Sequence, residues 1–365
     1  MTEGFRPTWV RVDLDAIRHN ARILKPPSAE LMAVTKANGY GHGAVQVTRA
    51  ALEAGATWVG VALVEEGLEL RGAGIEAPIL VLSELPAGSE AVSVAHRLTP
   101  TVYSDEGLHR LQAAAPGRVA VHVKVDTGMH RVGIWPPGDA AAFCERVQAA
   151  GFELEGVFTH FARSEEDEVT TKDQLTRFLE AADAIRARGI SPRLLHTANT
   201  GATIRHPESH LDLVRPGIGL YGIEPAPGVG ADLGLRPALS WRSEVSLAKL
   251  LGPGEGISYG HRFRTERQTW VATVPVGYAD GYPRQLTNVG EVLIRGRLCA
   301  VVGTVTMDQL VVECGDLEVE AGDEVVLIGS QGEERIDADG LGRRFGTIGY
   351  EIVSRIGARV PRRYA

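Results

Sequence analysis

Polar side chains that could perform amine or acid–base chemistry stand directly after short apolar runs of the sequence. Lys36 follows residues 31–35, His160 closes the run from residue 154, and Arg215 closes the run from residue 211. A lysine shielded from water has a lowered pKa and can condense with an aldehyde, and histidine can transfer protons near neutral pH. The spacing therefore indicates a site that combines an amine nucleophile with proton-transfer groups.

Four further polar residues stand at the ends of two other apolar runs: Lys124, Arg131, His196 and Asn199. Each of them alone is typical of a solvated or hydrogen-bonded side chain, so the inference depends on the whole set. The sequence has no G-x-x-x-x-G-K-[ST] loop. The backbone amides of Gly217 and Ile218, after the eighth run, are candidate hydrogen-bond donors to a phosphate group.

The elements that must position these residues alternate between strand and helix. Apolar runs rich in β-branched residues are separated by Ala-rich amphipathic segments such as 44–54, 139–150 and 171–188. The eight expected strands are residues 31–35, 58–62, 78–82, 98–103, 119–125, 154–160, 193–197 and 211–215. This pattern predicts a (β/α)₈ TIM-type barrel over residues 8–232, with its site at the carboxyl ends of the strands, although a doubly wound sheet would alternate similarly.

The pattern changes beyond Pro237. Helical periodicity fades, and β-rich runs separated by glycine take over, which predicts a C-terminal mainly-β domain over residues 233–365. The expected strands of this domain are residues 240–250, 270–275, 291–294, 299–305, 310–312 and 324–328. Residues 1–7 are expected to form an N-terminal extension.

Composition excludes several classes of protein. A net charge of −8 without a basic run argues against a nucleic-acid partner. Three widely spaced cysteines without a C-x-x-C pair indicate reduced thiols in a cytoplasmic protein. No apolar leader and no apolar run long enough to span a membrane is present, so export and membrane insertion are not expected.

A metal site is not expected either. His206 and His210 have an i, i+4 spacing that could mimic a metal-binding pair. No carboxylate or third ligand stands at the spacing that a zinc site requires. The two histidines are therefore interpreted as structural residues.

Eight segments together resemble the alanine racemase family, and the resemblance extends from residue 10 to residue 362. The segments are residues 34–43, 124–133, 159–161, 196–200, 215–222, 257–260, 277–281 and 307–308. The resemblance implies a barrel followed by a β domain, bound pyridoxal 5′-phosphate, and a cytoplasmic homodimer with shared active sites. The implied activity is that of an isomerase that interconverts L-alanine and D-alanine and supplies D-alanine for peptidoglycan.

The family's catalytic roles carry over to matching positions. Lys36 is implied to hold the cofactor as a Schiff base and to act as one acid–base group. Tyr259, delivered by the partner subunit, is implied to be the other. Racemisation removes a proton from one face of Cα and returns it on the opposite face, so two bases are the minimal solution. Arg215 is implied to face the pyridine nitrogen; because arginine only donates hydrogen bonds, that nitrogen would stay unprotonated and transamination would be suppressed.

The family's binding roles carry over in the same way. Arg131 and the Met307 amide are implied to hold the substrate carboxylate, and His160 to bridge Tyr259 to Arg215. The residue that matches Lys124 is carbamylated in some members, where it braces the arginine; its state here is left open. The residues implied to bind the cofactor or its phosphate are Tyr40, Asn199, Thr200, Gly217, Ile218 and Tyr350, and those implied to support the site are His196, Tyr278 and Asp308.

The sequence departs from the family pattern at three positions. His130 stands where the family often has Gly, Thr200 where Ser is common, and Thr306 where Cys frequently precedes the Met-Asp pair. Thr200 retains the hydroxyl, so phosphate binding is expected to survive. His130 and Thr306 are candidates for altering the site entrance or the substrate preference.

Three other functions remain as alternatives. A broader racemase acting on serine, lysine or arginine would share nearly every motif above. A non-catalytic pyridoxal-phosphate carrier would need neither the β domain nor Tyr259. A fold-related decarboxylase would typically carry a catalytic cysteine and a glycine-rich phosphate motif.

Overall fold

The computed structural model describes residues 5–115 and 119–365, which fall into two compact units. The barrel unit comprises Asp15–Gly39 and Ala44–Arg236, apart from residues 116–118. The β unit combines residues 5–14 with Tyr40–Gly43 and Pro237–Ala365. Residues 1–4 of the expected N-terminal extension lie outside the described residues.

Strand β1 (Thr8–Val12) belongs to the β unit, and the next eight strands form the parallel sheet of the barrel unit. These eight are β2 (Glu30–Val34), β3 (Trp58–Val61), β4 (Ile79–Glu84), β5 (Leu98–Val102), β6 (Ala120–Lys124), β7 (Glu153–Phe158), β8 (Leu194–His196) and β9 (Leu213–Val214). They pair in the order β8-β7-β6-β5-β4-β3-β2-β9. All eight expected strands are confirmed, with ends within two residues of the predicted ones, because β-branched apolar runs suit a sheet buried on both faces.

Two backbone hydrogen bonds join the last strands of the ring. The Asp212 amide donates to the Leu195 carbonyl at 3.0 Å, and the Arg215 amide donates to the Ala198 carbonyl at 2.9 Å. They complete the (β/α)₈ arrangement and fix Arg215 at the carboxyl end of β9. The carboxyl ends of β2, β6, β7 and β8 lie at the same end of the barrel because all the strands are parallel.

Helices connect these strands where apolar positions recur at helical spacing. They are α1 (Leu14–Leu24), α2 (Ala44–Glu53), α3 (Val64–Gly72), α4 (Glu90–Ala95), α5 (Asp105–Ala114), α6 (Ala140–Ala149), α7 (Glu168–Ala187) and α8 (Thr200–Arg205). Helix α7 begins three residues before the predicted start, because the Asp167 side chain accepts the Thr170 amide as an N-cap. Within the described residues, no helix combines the length and apolar character needed to cross a bilayer.

The β unit is built on a ten-stranded sheet. The strands of this unit after β1 are β10 (Leu239–Glu244), β11 (Leu247–Leu251), β12 (Gly256–Ile257), β13 (Phe263–Arg264), β14 (Thr269–Val274), β15 (Glu291–Ile294), β16 (Arg297–Val301), β17 (Leu310–Gly315), β18 (Glu324–Gln331), β19 (Glu334–Ile336) and β20 (Arg362–Tyr364). The path of the sheet is β11-β14-β17-β16-β15-β18-β10-β1-β20, with β19 paired to β18. Strands β12 and β13 form a separate hairpin, and helices α9 (Ala338–Arg343) and α10 (Gly349–Ser354) precede β20.

The expected division at residues 8 and 232 differs from the observed units at three places. Residues 8–12 pair with β10 and β20, so they belong to the β unit and not to the barrel. Residues 40–43 also belong there: the Arg362 Nε donates to the Gly41 carbonyl, and a Cβ on Gly41 would lie 2.1 Å from the Val353 carbonyl oxygen. Residues 233–236 instead belong to the barrel unit, where the Asn20 side chain bonds both the amide and the carbonyl of Arg236.

One expected strand of the β unit is also corrected. Residues 240–250 form two strands, β10 and β11, and not one. The first strand, β10, ends at Glu244. The next amide, that of Val245, donates to the Asp323 carbonyl, whereas the Ser246 amide donates to the carbonyl of Thr273 in β14, the strand that pairs with β11. Alternation of apolar residues continues through such a break, so the pattern alone does not show it.

Candidate active site

Lys36 follows β2 and begins a turn of left-handed backbone. Ala37, Asn38 and Gly39 have φ angles of 53°, 52° and 60°. This conformation costs residues other than glycine roughly 1–2 kcal/mol each, and such strain clusters at functional sites. The turn is held by the Gly39 amide, which donates to the Thr35 carbonyl at 2.8 Å, and by the Asn38 side chain, which accepts the Ala44 amide at 2.9 Å. The strained turn thus fixes the position from which Lys36 projects.

The amine of Lys36 has an environment suited to a nucleophile. The residue is half-buried, and burial lowers the pKa of its amine; the positive charge of Arg131 lowers this pKa further, whereas Glu66 opposes the shift. A lowered pKa raises the neutral fraction of the amine, which is the form that attacks a carbonyl.

Lys124, at the end of β6, is a second amine with a lowered pKa. It is buried, and its ammonium group lies 5.3 Å from the centre of the Phe158 ring. Burial, followed by the charges of Arg215, Arg131 and Lys36, lowers the pKa of Lys124 to about 7. The four cationic side chains therefore lie close enough to repel one another, and an anionic ligand would relieve that repulsion.

Arg131 lies on a loop whose backbone is tightly held. The Asp126 Oδ1 accepts the amides of Gly128, Met129 and His130 at 2.9, 3.1 and 3.0 Å. Together with Lys124, Met129 and His160, Arg131 lines a shallow depression at this end of the barrel. The Arg131 side chain itself is exposed, so a ligand in the depression could reach it.

Arg215 is buried and its guanidinium is oriented by the barrel. Its Nη1 donates to His196 Nδ1 at 2.9 Å, and its Nη2 donates to the carbonyls of Thr159 and Thr197 at 2.6 and 3.1 Å. In the described part of the chain its imidazole partner is thus His196. His160 is affected by the charge of Arg215, which together with burial lowers its pKa well below the usual value.

Thr200 meets the backbone after β9. Its Oγ1 accepts the amides of Gly217 at 2.9 Å and Gly219 at 3.4 Å. Asn199 caps helix α8, because its Oδ1 accepts the Ala202 amide at 3.0 Å. Three of the expected phosphate ligands, Thr200, Gly217 and Ile218, are therefore neighbours, as a shared ligand would require.

Tyr259 is presented by a rigid loop of the β unit. The surface of Tyr259 is 76% exposed to solvent. The preceding Ser258 has a φ of 58° and donates through its hydroxyl to the Thr304 carbonyl at 2.7 Å, and Thr304 returns a 2.8 Å hydrogen bond to the Tyr259 carbonyl. A large side chain on a fixed backbone, open to solvent, is suited to meet a ligand or another subunit.

The segments around Tyr278 and Met307 are bound to each other. The Tyr278 amide donates to the Thr306 carbonyl and the Ala279 amide to the Met307 carbonyl, both at 3.0 Å. Asp308 is braced by Arg359 Nη2 at 2.7 Å. These bonds hold the Met307 backbone in one position.

The remaining expected residues of the β unit lie together as well. The rings of Tyr40 and Tyr350 are 6.3 Å apart at an angle of 60°.

The two histidines considered for a metal contact backbone carbonyl oxygens: His206 Nε2 contacts Ser164 O at 3.2 Å and His210 Nε2 contacts Thr203 O at 2.9 Å.

Sequence reasoning missed several residues that shape these positions. Glu66 accepts the Ala37 amide beside Lys36, and Phe158 packs under Lys124 and Arg215. His122 contacts His196 inside the barrel. One signal was present for His122: residues i and i+2 of a strand share a face, so His122 had to point to the same side as Lys124.

Comparisons with known proteins agree along the whole chain. Residues 12–225 match the family model "Alanine racemase, N-terminal domain", and residues 238–364 match "Alanine racemase, C-terminal domain". Among curated relatives, an alanine racemase of Symbiobacterium thermophilum is 50% identical and covers 99% of this chain and 98% of the relative. An alanine racemase of Frankia casuarinae is 45% identical and covers 97% and 95%.

Solved structures give the same result. The alanine racemase of Bacillus anthracis with bound L-Ala-P superposes with a TM-score of 0.95 at 40% identity, covering 100% of this chain and 96% of that one. The enzyme of Streptomyces lavendulae gives 0.94 at 40% identity, covering 100% and 98%. The family models for both halves of the chain, the relatives and the solved structures therefore all indicate the same family. The chain belongs to the alanine racemase family of isomerases.

Proposed function

We propose that this chain interconverts L-alanine and D-alanine with pyridoxal 5′-phosphate, using Lys36 of one subunit and Tyr259 of a second copy as the two bases. The observation that carries the proposal is the amine of Lys36: it projects from a strained turn at the carboxyl end of β2, and burial and Arg131 lower its pKa. A neutral amine at a fixed position serves both as the anchor of an aldehyde cofactor and as a base.

The residues of the barrel unit fit such a cofactor. Lys36, Lys124, Arg131 and Arg215 concentrate positive charge, whereas burial and these cations hold the pKa of His160 and His196 well below the usual value. Anionic phosphate and carboxylate groups are the chemistry that this set favours. When bound, pyridoxal phosphate supplies an aldehyde for the Lys36 amine and an electron-withdrawing ring that acidifies Cα–H.

The other residues take binding and positioning roles in this proposal. Arg131 and the Met307 amide would hold the carboxylate of alanine, and Arg215 would donate to the pyridine nitrogen, to which an arginine gives no proton. The phosphate would be held by Tyr40, Thr200, Gly217, Ile218 and Tyr350. His160 would link Tyr259 to Arg215, with Asn199 beside the cofactor; the supporting residues would be Lys124, His196, Tyr278 and Asp308.

A homodimer is part of the proposal. Tyr259, Met307 and Tyr278 are 76%, 52% and 41% exposed on the β unit, although their backbones are firmly held. A second copy of the chain would cover them and bring Tyr259 to the face of the substrate opposite Lys36. We place the enzyme in the cytoplasm as a source of D-alanine for peptidoglycan; its three free, buried thiols suit a reducing compartment.

Racemisation assays with purified protein test this function. Lys36→Ala removes the anchor and one base together, so the visible absorbance of lysine-bound cofactor should disappear and activity should fall to below about a thousandth of wild type. Activity above that level without added amine would contradict the role of Lys36. Turnover of serine, lysine or arginine faster than alanine would instead favour the broader racemase.

A further inference from the structure

A chain of three hydrogen-bonded side chains runs from Arg215 into the interior of the barrel. Arg215 Nη1 contacts His196 Nδ1 at 2.9 Å, and His196 Nε2 contacts His122 Nδ1 at 2.9 Å. His196 closes β8 and His122 lies in the middle of β6. Both histidines have no exposed surface.

The positions of the imidazole protons in this hydrogen-bonded series follow from Arg215. Guanidinium nitrogens only donate, so Nδ1 of His196 must accept and carries no proton. Neutral His196 then carries its proton on Nε2 and donates it to Nδ1 of His122. His122 in turn must carry its proton on Nε2. The N–H groups of both imidazoles therefore point away from Arg215.

The surroundings keep both imidazoles neutral. Burial, followed by the charges of Arg193 and Arg215, lowers the pKa of His122 to about 3. Burial and Arg215, with smaller effects of His122 and Lys124, hold the pKa of His196 well below its usual value. Glu155 is a carboxylate beside His122: its Oε2 lies 3.9 Å from His122 Nε2, and its Oε1 accepts a hydrogen bond from Arg193 at 3.1 Å.

The fold makes room for His122 at one particular glycine. A Cβ on Gly156, in the neighbouring strand β7, would lie 2.5 Å from the His122 ring. Trp58 packs against the same ring with a centroid distance of 5.2 Å, and Phe158 stacks on His196 at 4.8 Å. Yet the Nε2 of His122 has no hydrogen-bond partner in the described part of the chain. A buried imidazole that is bonded to His196, and for which the next strand leaves space with a glycine, does more than fill the core.

We propose that His122 is a positioning residue for Arg215: by accepting the Nε2 proton of His196, it fixes the tautomers of both histidines and holds the guanidinium in one orientation. The inference rests on the proposed function, in which Arg215 donates to the cofactor nitrogen. Because each imidazole directs its proton away from the site, neither delivers a proton toward that nitrogen. His122 thus acts on the selectivity for racemisation over transamination without touching the cofactor.

Nitrogen NMR of histidine-labelled holoenzyme tests the tautomers directly. Both His122 and His196 should show a protonated Nε2 and an unprotonated Nδ1, with each signal assigned by its loss in His122→Asn or His196→Asn. A protonated Nδ1 or an imidazolium at either residue would overturn the proposal. This readout does not require catalysis, so it separates a failure of the tautomer chain from a failure of the racemase function.

Two substitutions at His122 test the consequence. His122→Leu removes the acceptor, and we expect kcat to fall about tenfold, with the KM for alanine within about twofold and more pyruvate formed per alanine racemised. His122→Asn retains an acceptor near the position of Nδ1 and should restore the pyruvate ratio. His210→Gln, at a histidine that bonds only a backbone carbonyl in the described residues, is the matched control.

The outcomes of this series are decisive even where folding is affected. If His122→Leu folds and its kcat, pyruvate ratio and His196 nitrogen shifts match wild type, the positioning role is wrong. If His122→Leu fails to fold, Gly156→Ala moves the ring while keeping the imidazole, and it should shift the His196 signals and raise the pyruvate ratio. Unchanged values in a folded Gly156→Ala enzyme would contradict the proposal as well.

Discussion

The carboxylate of Glu66 accepts the backbone amide of Ala37 at 2.6 Å, immediately after Lys36. The same carboxylate accepts the amides of Ala62 and Leu63 at the start of helix α3. Glu66 therefore fastens the strained turn to the next βα loop and is the acidic group that raises the pKa of Lys36 against burial and Arg131. Its removal should change the reactivity of Lys36 without removing the amine.

Glu66→Gln should lower the pKa of Lys36 further, because the opposing negative charge is lost while one of the two accepting oxygens remains. In apoenzyme, the pH at which cofactor attachment reaches half its maximal rate should move to lower values. Stopped-flow absorbance after adding pyridoxal phosphate measures this rate. Glu65→Gln, an exposed neighbour, is the control; a midpoint that moves upward or stays fixed would contradict the assigned effect of Glu66.

Lys124 should react with carbon dioxide. With a pKa of about 7, its amine is largely neutral in mildly alkaline solution, and the positive charges of Arg215, Arg131 and Lys36 favour the negative carbamate over the ammonium form. Carbon NMR of enzyme equilibrated with labelled bicarbonate should show a carbamate signal that is absent from Lys124→Arg. If both proteins give identical spectra, Lys124 is unmodified.

Arg215→Glu should slow racemisation and increase transamination. A carboxylate opposite the pyridine nitrogen favours its protonation, which strengthens the electron sink and lengthens the life of the carbanionic state. The measurements are the racemisation rate and the pyruvate formed per turnover. A variant with the product ratio of wild type would show that Arg215 does not control the cofactor nitrogen.

Stability should fall as the pH decreases below about 6.5, the usual pKa of an unfolded histidine. His122 and His196 remain neutral in the folded state because their pKa values are depressed, whereas the unfolded chain binds a proton at each. Their contribution is thus complete above about pH 6.5 and is lost as the pH falls, for His122 toward about pH 3, at roughly 1.4 kcal/mol per pH unit for each proton.

Urea unfolding between about pH 7 and pH 5 measures this slope. His122→Asn should reduce it by the equivalent of about one proton, and His109→Asn, at an exposed position, is the matched control. Identical slopes in wild type and His122→Asn would mean that the pKa of His122 is the same in the folded and unfolded protein, which would contradict its depression.

A heterodimer of Lys36→Ala with Tyr259→Phe should regain activity. If each site combines Lys36 of one subunit with Tyr259 of the other, both defects fall into one site and the second site is complete, which gives up to about half of the wild-type activity. Co-expression with two different tags allows the mixed species to be purified and assayed. An inactive heterodimer that is folded and loaded with cofactor would exclude shared sites and leave the family assignment unaffected.

Local patterns allowed much of the fold to be predicted. The eight barrel strands are apolar runs with β-branched residues, and their identity depends on burial that each short segment encodes by itself. The positions of Lys36, Lys124 and Arg215 at strand ends follow from the same runs. The domain boundaries were less accurate, because β1 has no local property that assigns it to the β unit.

The sequence by itself determined which segments become strands, which polar residues follow them, and to which family the motifs point, since these depend on neighbouring residues. Only the tertiary structure decided that β1 pairs with β10 and β20, and that the His122 ring meets His196 across a gap left by Gly156. Such contacts join residues far apart in the chain. Their geometry depends on strand register and on the space between packed side chains, which no local pattern encodes.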